Sequence, residues 1–72
     1  MQATDRNRKL EFCASVYRAR EGFKAVWAVR DGPRGLSSGD LMSLSEEAAR
    51  THVRIEAERL GFDAIRWEDG SP

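Results

Sequence analysis

Three ionisable residues, spaced four and then three positions apart, are the first candidates for chemistry in this 72-residue sequence: His52, Glu56 and Arg59. On a helix, residues at this spacing share one side, where Glu56 would act as a base with His52 as its partner. The alternative is a structural carboxylate at the edge of an apolar stripe, held by Arg59. Catalysis would also need a nucleophile or metal and a pocket. A chain this short has little room for a pocket, so we assign no catalytic residue and expect a protein that is not an enzyme.

Cys13 is the single cysteine of the chain. A reactive thiol needs a helix N-terminus or a cationic neighbour to lower its pKa, and the sequence around Cys13 indicates neither. We therefore expect a partly buried structural thiol, with an intermolecular disulfide as the alternative. One cysteine and one histidine are too few for a structural zinc site, which takes four such ligands. No metal and no cofactor are expected.

The elements that position these residues begin with two alternating stretches, residues 10–17 and 23–30. Apolar and polar side chains alternate with period two in both, which predicts two strands. Gly22 supplies a positive φ for the turn of a β-hairpin. Pro33 ends the second strand, because it cannot donate a ladder hydrogen bond. The glycine-containing residues that follow, up to Leu44, are predicted as a loop, part of which would form a short extra strand.

A helix is predicted next. Ser43 and Glu46 fit a capping box, and Ser45 is the alternative N-cap residue. Helical spacing of apolar residues then continues to Leu60, and Gly61 is suited to end the helix. The apolar positions of this stripe are Ala49, Val53, Ala57 and Leu60. Residues 62–67 are predicted as a third strand.

Together these elements predict one α+β domain over residues 1–72, with residues 1–8 flexible. The order is β-β-α-β, with one helix on one face of a small antiparallel or mixed three-stranded sheet. We place the first strand in the middle, giving strand order 2-1-3, with the third strand antiparallel to the first and the second strand at an edge. The predicted core is Leu10, Phe12, Val16, Phe23, Trp27, Val53, Leu60 and one of Phe62 or Ile65.

Charge is unevenly distributed along the chain, although the net charge is zero. Residues 1–34 hold eight basic and four acidic residues, and residues 35–72 hold four basic and eight acidic residues. This pattern suggests a basic side and an acidic side. A small nucleic-acid-binding accessory protein is therefore one alternative, with Tyr17 available to stack on a base. Zero net charge and the lack of a nucleic-acid-binding motif argue against strong phosphate affinity.

The sheet face away from the helix is expected to be half apolar, where a solvated face is usually polar. The third strand adds either Ala64 and Arg66 or Ile65 and Trp67 to this face. Exposed apolar patches with polar rims are typical of interaction surfaces. The interface candidates on and around it are Tyr17, Val26, Ala28, Arg18, Arg20, Lys24, Arg30 and Arg66.

The compartment is predicted from what the sequence lacks. The first ten residues contain no apolar signal-peptide core, and no apolar run approaches about 18 residues, so no membrane association is expected. A single cysteine favours a reducing environment. We expect a cytoplasmic protein, and one too small to be comfortably stable alone, which favours a homodimer or a bound partner.

In overall layout, the chain resembles small stand-alone proteins of phages and mobile elements, including several anti-CRISPR proteins. The resemblance rests on size and on the hairpin-helix-strand order, and no individual residue carries it. It implies a non-enzymatic inhibitor in the host cytoplasm that occupies a surface of a CRISPR–Cas complex. The partner would be another protein or a ribonucleoprotein, and no functional residue is assigned from the resemblance.

Overall fold

A computed structural model describes residues 10–69 of the chain. The elements are strands β1 (Leu10–Ala19), β2 (Gly22–Asp31) and β3 (Arg34–Ser43), helix α1 (Glu46–Arg59) and strand β4 (Arg66–Trp67). The strands form one mixed sheet in the order β3-β2-β1-β4. The α+β class is confirmed, whereas the predicted three-stranded sheet is one strand short. The predicted flexible segment, residues 1–8, lies outside the described residues.

The predicted hairpin is present, since β1 and β2 pair antiparallel and Ala19 lies opposite Gly22. Gly22 has a φ of 151°, a conformation that side chains with a Cβ rarely adopt. A Cβ at this position would also lie 2.4 Å from the carbonyl oxygen of Ser43. Glycine is therefore required here both by the backbone conformation and by the close approach of β3.

The main correction concerns the segment predicted as a loop. Arg34–Ser43 form a full strand that pairs antiparallel with β2, and the pairing shifts by one residue at a bulge that contains Leu36. The prediction that the second strand is an edge is therefore wrong, because β3 takes that place. The extra strand also reverses the chain before the helix. As a result β4 runs parallel to β1, not antiparallel, while β1 still lies between β2 and β4.

Helix α1 begins after the alternative N-cap residue. Ser45 is the N-cap, and its Oγ accepts a hydrogen bond from the Ala48 N–H at 3.1 Å; the prediction of Ser43 is wrong. Gly61 has a φ of 92° and follows the C-cap residue Leu60, as predicted. Within residues 10–69, no helix is long and apolar enough to cross a membrane.

The core lies between α1 and one face of the sheet and consists mostly of small side chains. Its buried residues are Phe12, Ala14, Val16, Ala25, Val29, Ala49, Val53 and Ala57. The predicted core residues Phe23, Trp27, Phe62 and Ile65 pack against this cluster and are partly buried. The ring centroids of Phe12 and Phe62 are 5.6 Å apart, so the segment after the helix is held to the start of β1.

Leu10 and Leu60 are exposed, so their assignment to the core is wrong. Leu60 follows the last helical residue and has φ −90° and ψ 0°. Helical spacing therefore no longer applies at Leu60, and the residue does not reach the stripe that buries Val53 and Ala57.

β4 contains two residues, not the six that were predicted, and hydrogen bonds beyond it continue the attachment to β1. The Glu68 N–H donates to the Ala14 carbonyl at 2.7 Å. The Val16 N–H donates to Oδ2 of Asp69 at 3.1 Å. A side-chain carboxylate thus takes the place of a strand partner at the point where β4 ends.

Arg50 connects helix α1 to this end of the chain. Its Nη2 donates to Oδ2 of Asp69 at 2.7 Å and to Oε2 of Glu46 at 2.9 Å, and its guanidinium lies 4.7 Å from the centre of a Trp67 ring. Burial disfavours the charge of Arg50, but the hydrogen bonds to Asp69 and Glu46 outweigh that effect and raise its pKa. The cluster fixes α1 against β4.

Candidate functional site: the outer face of the sheet

The face of the sheet opposite α1, called the outer face below, brings together most of the predicted interface residues. By strand register it carries Glu11, Cys13, Ser15 and Tyr17 of β1, Lys24, Val26, Ala28 and Arg30 of β2, Ser38, Asp40 and Met42 of β3, and Arg66 of β4. Six of the eight interface candidates are in this set. Arg18 alternates to the other face opposite Phe23, and Arg20 lies in the β1–β2 turn.

The structure shows which residues of the predicted third strand face outward. Arg66 lies opposite Cys13 and therefore faces outward, whereas Trp67 lies opposite Ala14 and faces the helix. Trp67 is partly buried against the core. The outer face consequently receives a charged side chain from β4, and the aromatic one contributes to packing.

The centre of the outer face is uncharged and holds only a shallow depression. It consists of small side chains, namely Cys13, Ser15, Val26 and Ala28. They line a depression of about 80 Å³ together with Arg30 and Glu68, which is far below the ~300 Å³ or more of a typical small-molecule site. Tyr17 and Met42 are exposed at one end of the same face. A second surface would fit this face better than a small ligand.

Ion pairs surround this centre. They join Lys24 to Asp40 at 3.7 Å, Arg30 to Glu68 at 3.8 Å and Arg66 to Glu11 at 3.4 Å. Each pair links a residue of the first half of the chain to one of the second half. Exposed pairs of this kind add little to stability. Their main effect is to neutralise the cations that would otherwise make this face basic.

Cys13 lies at the centre of the face but is only 2% exposed. Burial raises the pKa of its thiol above the ordinary value of 9.0, and the negative charge of Glu68 raises it further. The sulfur therefore remains protonated and weakly nucleophilic at neutral pH. This agrees with the predicted structural thiol, and a disulfide to a second chain would require β1 to become accessible.

The candidate acid–base group is placed on α1, away from the outer face. Glu56 forms an ion pair with Arg59, as the structural alternative predicted, and His52 is exposed. Neither His52 nor Glu56 lines the outer-face depression or the two grooves described next. Glu56 therefore pairs with Arg59 and lines none of these three cavities.

Two grooves, which the sequence did not predict, flank the segment of residues 62–66. One, of about 490 Å³, lies against Leu10, Glu11 and Phe12, and the other, of about 410 Å³, lies against α1 and Trp67. Their described lining includes carboxylates and arginines but no histidine, cysteine or hydroxyl side chain. Among residues 10–69, no group of three or more His, Cys, Asp or Glu side chains could hold a metal.

No protein-family model, curated protein or solved structure matches this chain. Its function must therefore be argued from its own surface. The site residues that sequence reasoning missed are those of β3, above all Asp40 and Met42. The available signal was the alternation of Asp40 and Met42 with Leu41, which the neighbouring glycine and serines obscured.

Proposed function

We propose that this chain is a non-enzymatic binding protein that docks its outer face against another protein. The observation that carries the proposal is the combination of an uncharged centre of small side chains with a rim of paired charges. Small side chains such as Ser15 and Ala28 allow close approach, while exposed Tyr17 and Met42 are of the types enriched at protein interfaces. Binding would cover the centre and leave the ion pairs at the margin.

A nucleic-acid partner is the second candidate, and one feature favours it. Arg18 and Arg20 are exposed at the β1–β2 turn, close in sequence to Tyr17. Phosphate binding, however, depends on a continuous stripe of unneutralised cations. The cations of the outer face, Lys24, Arg30 and Arg66, each lie within 4 Å of a carboxylate. A protein partner is therefore favoured.

An inhibitor of a CRISPR–Cas complex is the specific form of this function that the resemblance implies. Of the two grounds for that resemblance, the small size stands, whereas the predicted hairpin-helix-strand order is replaced by three strands before the helix. The direct test is the plating of a targeted phage on cells that carry an active CRISPR–Cas system, with and without the expressed chain. Restored plaque formation would support this form. Unchanged interference across the available CRISPR–Cas types would reject it, while the general proposal of protein binding would stand.

The general proposal is tested by affinity capture from a host extract, followed by isothermal titration with the purified partner. Val26→Lys places a charge at the centre of the outer face, where desolvation on binding is costly. Tyr17→Glu places a charge at one end of the same face. Ile55→Lys on α1 is the control, because Ile55 is aliphatic like Val26 and exposed like Tyr17. Circular dichroism confirms that each variant is folded.

We expect wild type and Ile55→Lys to bind the same partner, and both outer-face variants to lose it. A partner that both outer-face variants retain, or that Ile55→Lys loses as well, would show that the outer face is not the binding surface.

A further inference from the structure

In the part of the chain that the structure describes, β3 has an open edge. The strand is ten residues long and is the terminal strand of the sheet, so within residues 10–69 it pairs only with β2. An open edge offers unpaired N–H and C=O groups to another strand, and proteins usually protect long edges with charges, prolines or bulges. Here the strand carries only two charged residues, Arg34 and Asp40, and its bulge lies near one end at Leu36.

Two of the three large apolar side chains on this edge strand are also exposed. Leu36 is 48% exposed and Met42 is 45% exposed, although both lie in a strand and not in a loop. The two residues are placed symmetrically about Gly39, with Leu36 three positions before it and Met42 three positions after it.

This placement makes β3 complementary to a second copy of itself. When two β3 strands pair antiparallel about a two-fold axis at Gly39, Leu36 of each copy lies opposite Met42 of the other. Ser38 lies opposite Asp40, so a hydroxyl faces a carboxylate twice. Cross-strand pairs of this kind are what stabilises a sheet. The two glycines that face each other across the axis present no side chains that could interfere.

Two alternative registers, with the axis at Asp40 or at Ser37, are less favourable. A two-fold axis at Asp40 would place two carboxylates directly opposite each other, which is destabilising. An axis at Ser37 would put the bulged residue Leu36 in the middle of the pairing, where the ladder is interrupted. The register about Gly39 avoids both problems and leaves the bulge at the end of the paired segment.

We infer that the chain forms a symmetric dimer through β3, in the register centred on Gly39. The two four-stranded sheets become one sheet of eight strands. A two-fold axis perpendicular to the sheet keeps both helices on one side, so the two outer faces form one continuous surface. The dimer forms through the β3 edge and leaves the centre of the outer face, Cys13, Ser15, Val26 and Ala28, uncovered. It therefore holds or fails independently of the proposed function.

The register is tested by charge substitutions at the two apolar positions. In Leu36→Glu/Met42→Glu, each new glutamate faces another glutamate across the dimer axis. Within its own chain, position 42 lies opposite Lys24, and Gly35, next to position 36, lies opposite Arg30, so the monomer remains favourable. In Leu36→Lys/Met42→Glu, opposite charges meet across the axis instead. Ile55→Glu on α1, a residue 54% exposed, is the control.

Sedimentation equilibrium from micromolar to millimolar concentrations measures the dimer. We expect wild type and Ile55→Glu to dimerise equally, Leu36→Glu/Met42→Glu to dimerise at least about tenfold more weakly, and Leu36→Lys/Met42→Glu to recover most of that loss. A wild-type protein that is monomeric throughout would overturn the inference. So would a Leu36→Lys/Met42→Glu variant that dimerises no better than the double glutamate, or an Ile55→Glu variant that is equally impaired.

Discussion

Gly39 is the position in β3 where the structure makes its sharpest prediction about stability. A Cβ added there would lie 2.6 Å from Cζ2 and 2.8 Å from Cε2 of Trp27, well inside an ordinary contact of about 3.5–4.0 Å. The indole lies across the glycine and would have to move in Gly39→Ala. Gly35 in the same strand has no atom within 4 Å of its added Cβ, which makes Gly35→Ala the matched control.

Forcing extra volume against a packed side chain costs about 1–3 kcal/mol. Alanine also lowers the conformational entropy of the unfolded chain, which stabilises the folded state by about 0.4–1 kcal/mol. At the middle of these two ranges, we expect Gly39→Ala to lower the free energy of unfolding by about 1.3 kcal/mol, which for a domain of this size lowers Tm by roughly 5–10 °C. Gly35→Ala should leave Tm unchanged or raise it slightly.

Thermal unfolding followed by circular dichroism measures both variants. The cause is checked in a Trp27→Leu background, where the smaller side chain should remove most of the Gly39→Ala penalty. If Gly39→Ala and Gly35→Ala melt within a degree of each other, or if the penalty is the same in the Trp27→Leu background, the indole does not lie across Gly39 as described.

Four further predictions follow from the structure. Val53→Ala removes two buried carbons and should lower the free energy of unfolding by about 2 kcal/mol. Leu60→Ala, at an exposed position, should change it by no more than about 0.5 kcal/mol. Urea denaturation measures both variants, and equal losses would contradict the assignment of Val53 to the core and of Leu60 to the surface. Burial raises the pKa of Cys13 above its ordinary value of 9.0, so the folded chain keeps a proton that the unfolded chain loses. The free energy of unfolding should therefore fall as pH rises above about 9, and less so in Cys13→Ala. Arg50→Ala leaves the Asp69 carboxylate without its guanidinium and should cost about 1–3 kcal/mol, with faster amide hydrogen exchange at Val16; unchanged exchange would show that Asp69 does not depend on Arg50. Fluorescence anisotropy with single-stranded and duplex DNA should show no sub-micromolar binding at physiological salt, and tight, salt-dependent binding would favour the nucleic-acid alternative.

The sequence predicted the parts of the fold that follow from local periodicity. The β1–β2 hairpin was visible because alternation of residues such as Phe12 and Val16 with polar neighbours is a property of each strand alone. The helix was visible for the same reason, and its end was marked by Gly61. These features depend on side chains within a few positions of one another.

β3 was missed because its stability does not come from its own residues. The segment contains two glycines, three serines and no β-branched aliphatic residue, and such a composition is unfavourable for a strand. It is ordered by pairing with β2, and Gly39 is needed there because the Trp27 indole occupies the space of a side chain. A glycine that signals a turn in the sequence thus serves close packing in the fold.

That one missed strand changed several conclusions about the site. With β3 in place, β2 becomes interior, the terminal strand of the described sheet carries Leu36 and Met42, and β4 becomes parallel to β1. The composition of the outer face was nevertheless predicted well for β1 and β2, because their alternation fixes which residues share a face. Strand order and edges depend on connections that local patterns do not record.

The charge distribution is a second feature of the surface that the order of residues along the chain did not predict. Along the chain, the first half is basic and the second half is acidic, which suggested two oppositely charged sides. The sheet instead places β1 and β2, which carry most of the described cations of the first half, between β3 and β4 of the acidic half. Asp40 therefore reaches Lys24 from one side and Glu68 reaches Arg30 from the other. Topology converts a segregated sequence into an interleaved surface, and this interleaving is the reason for proposing a protein partner ahead of a nucleic acid.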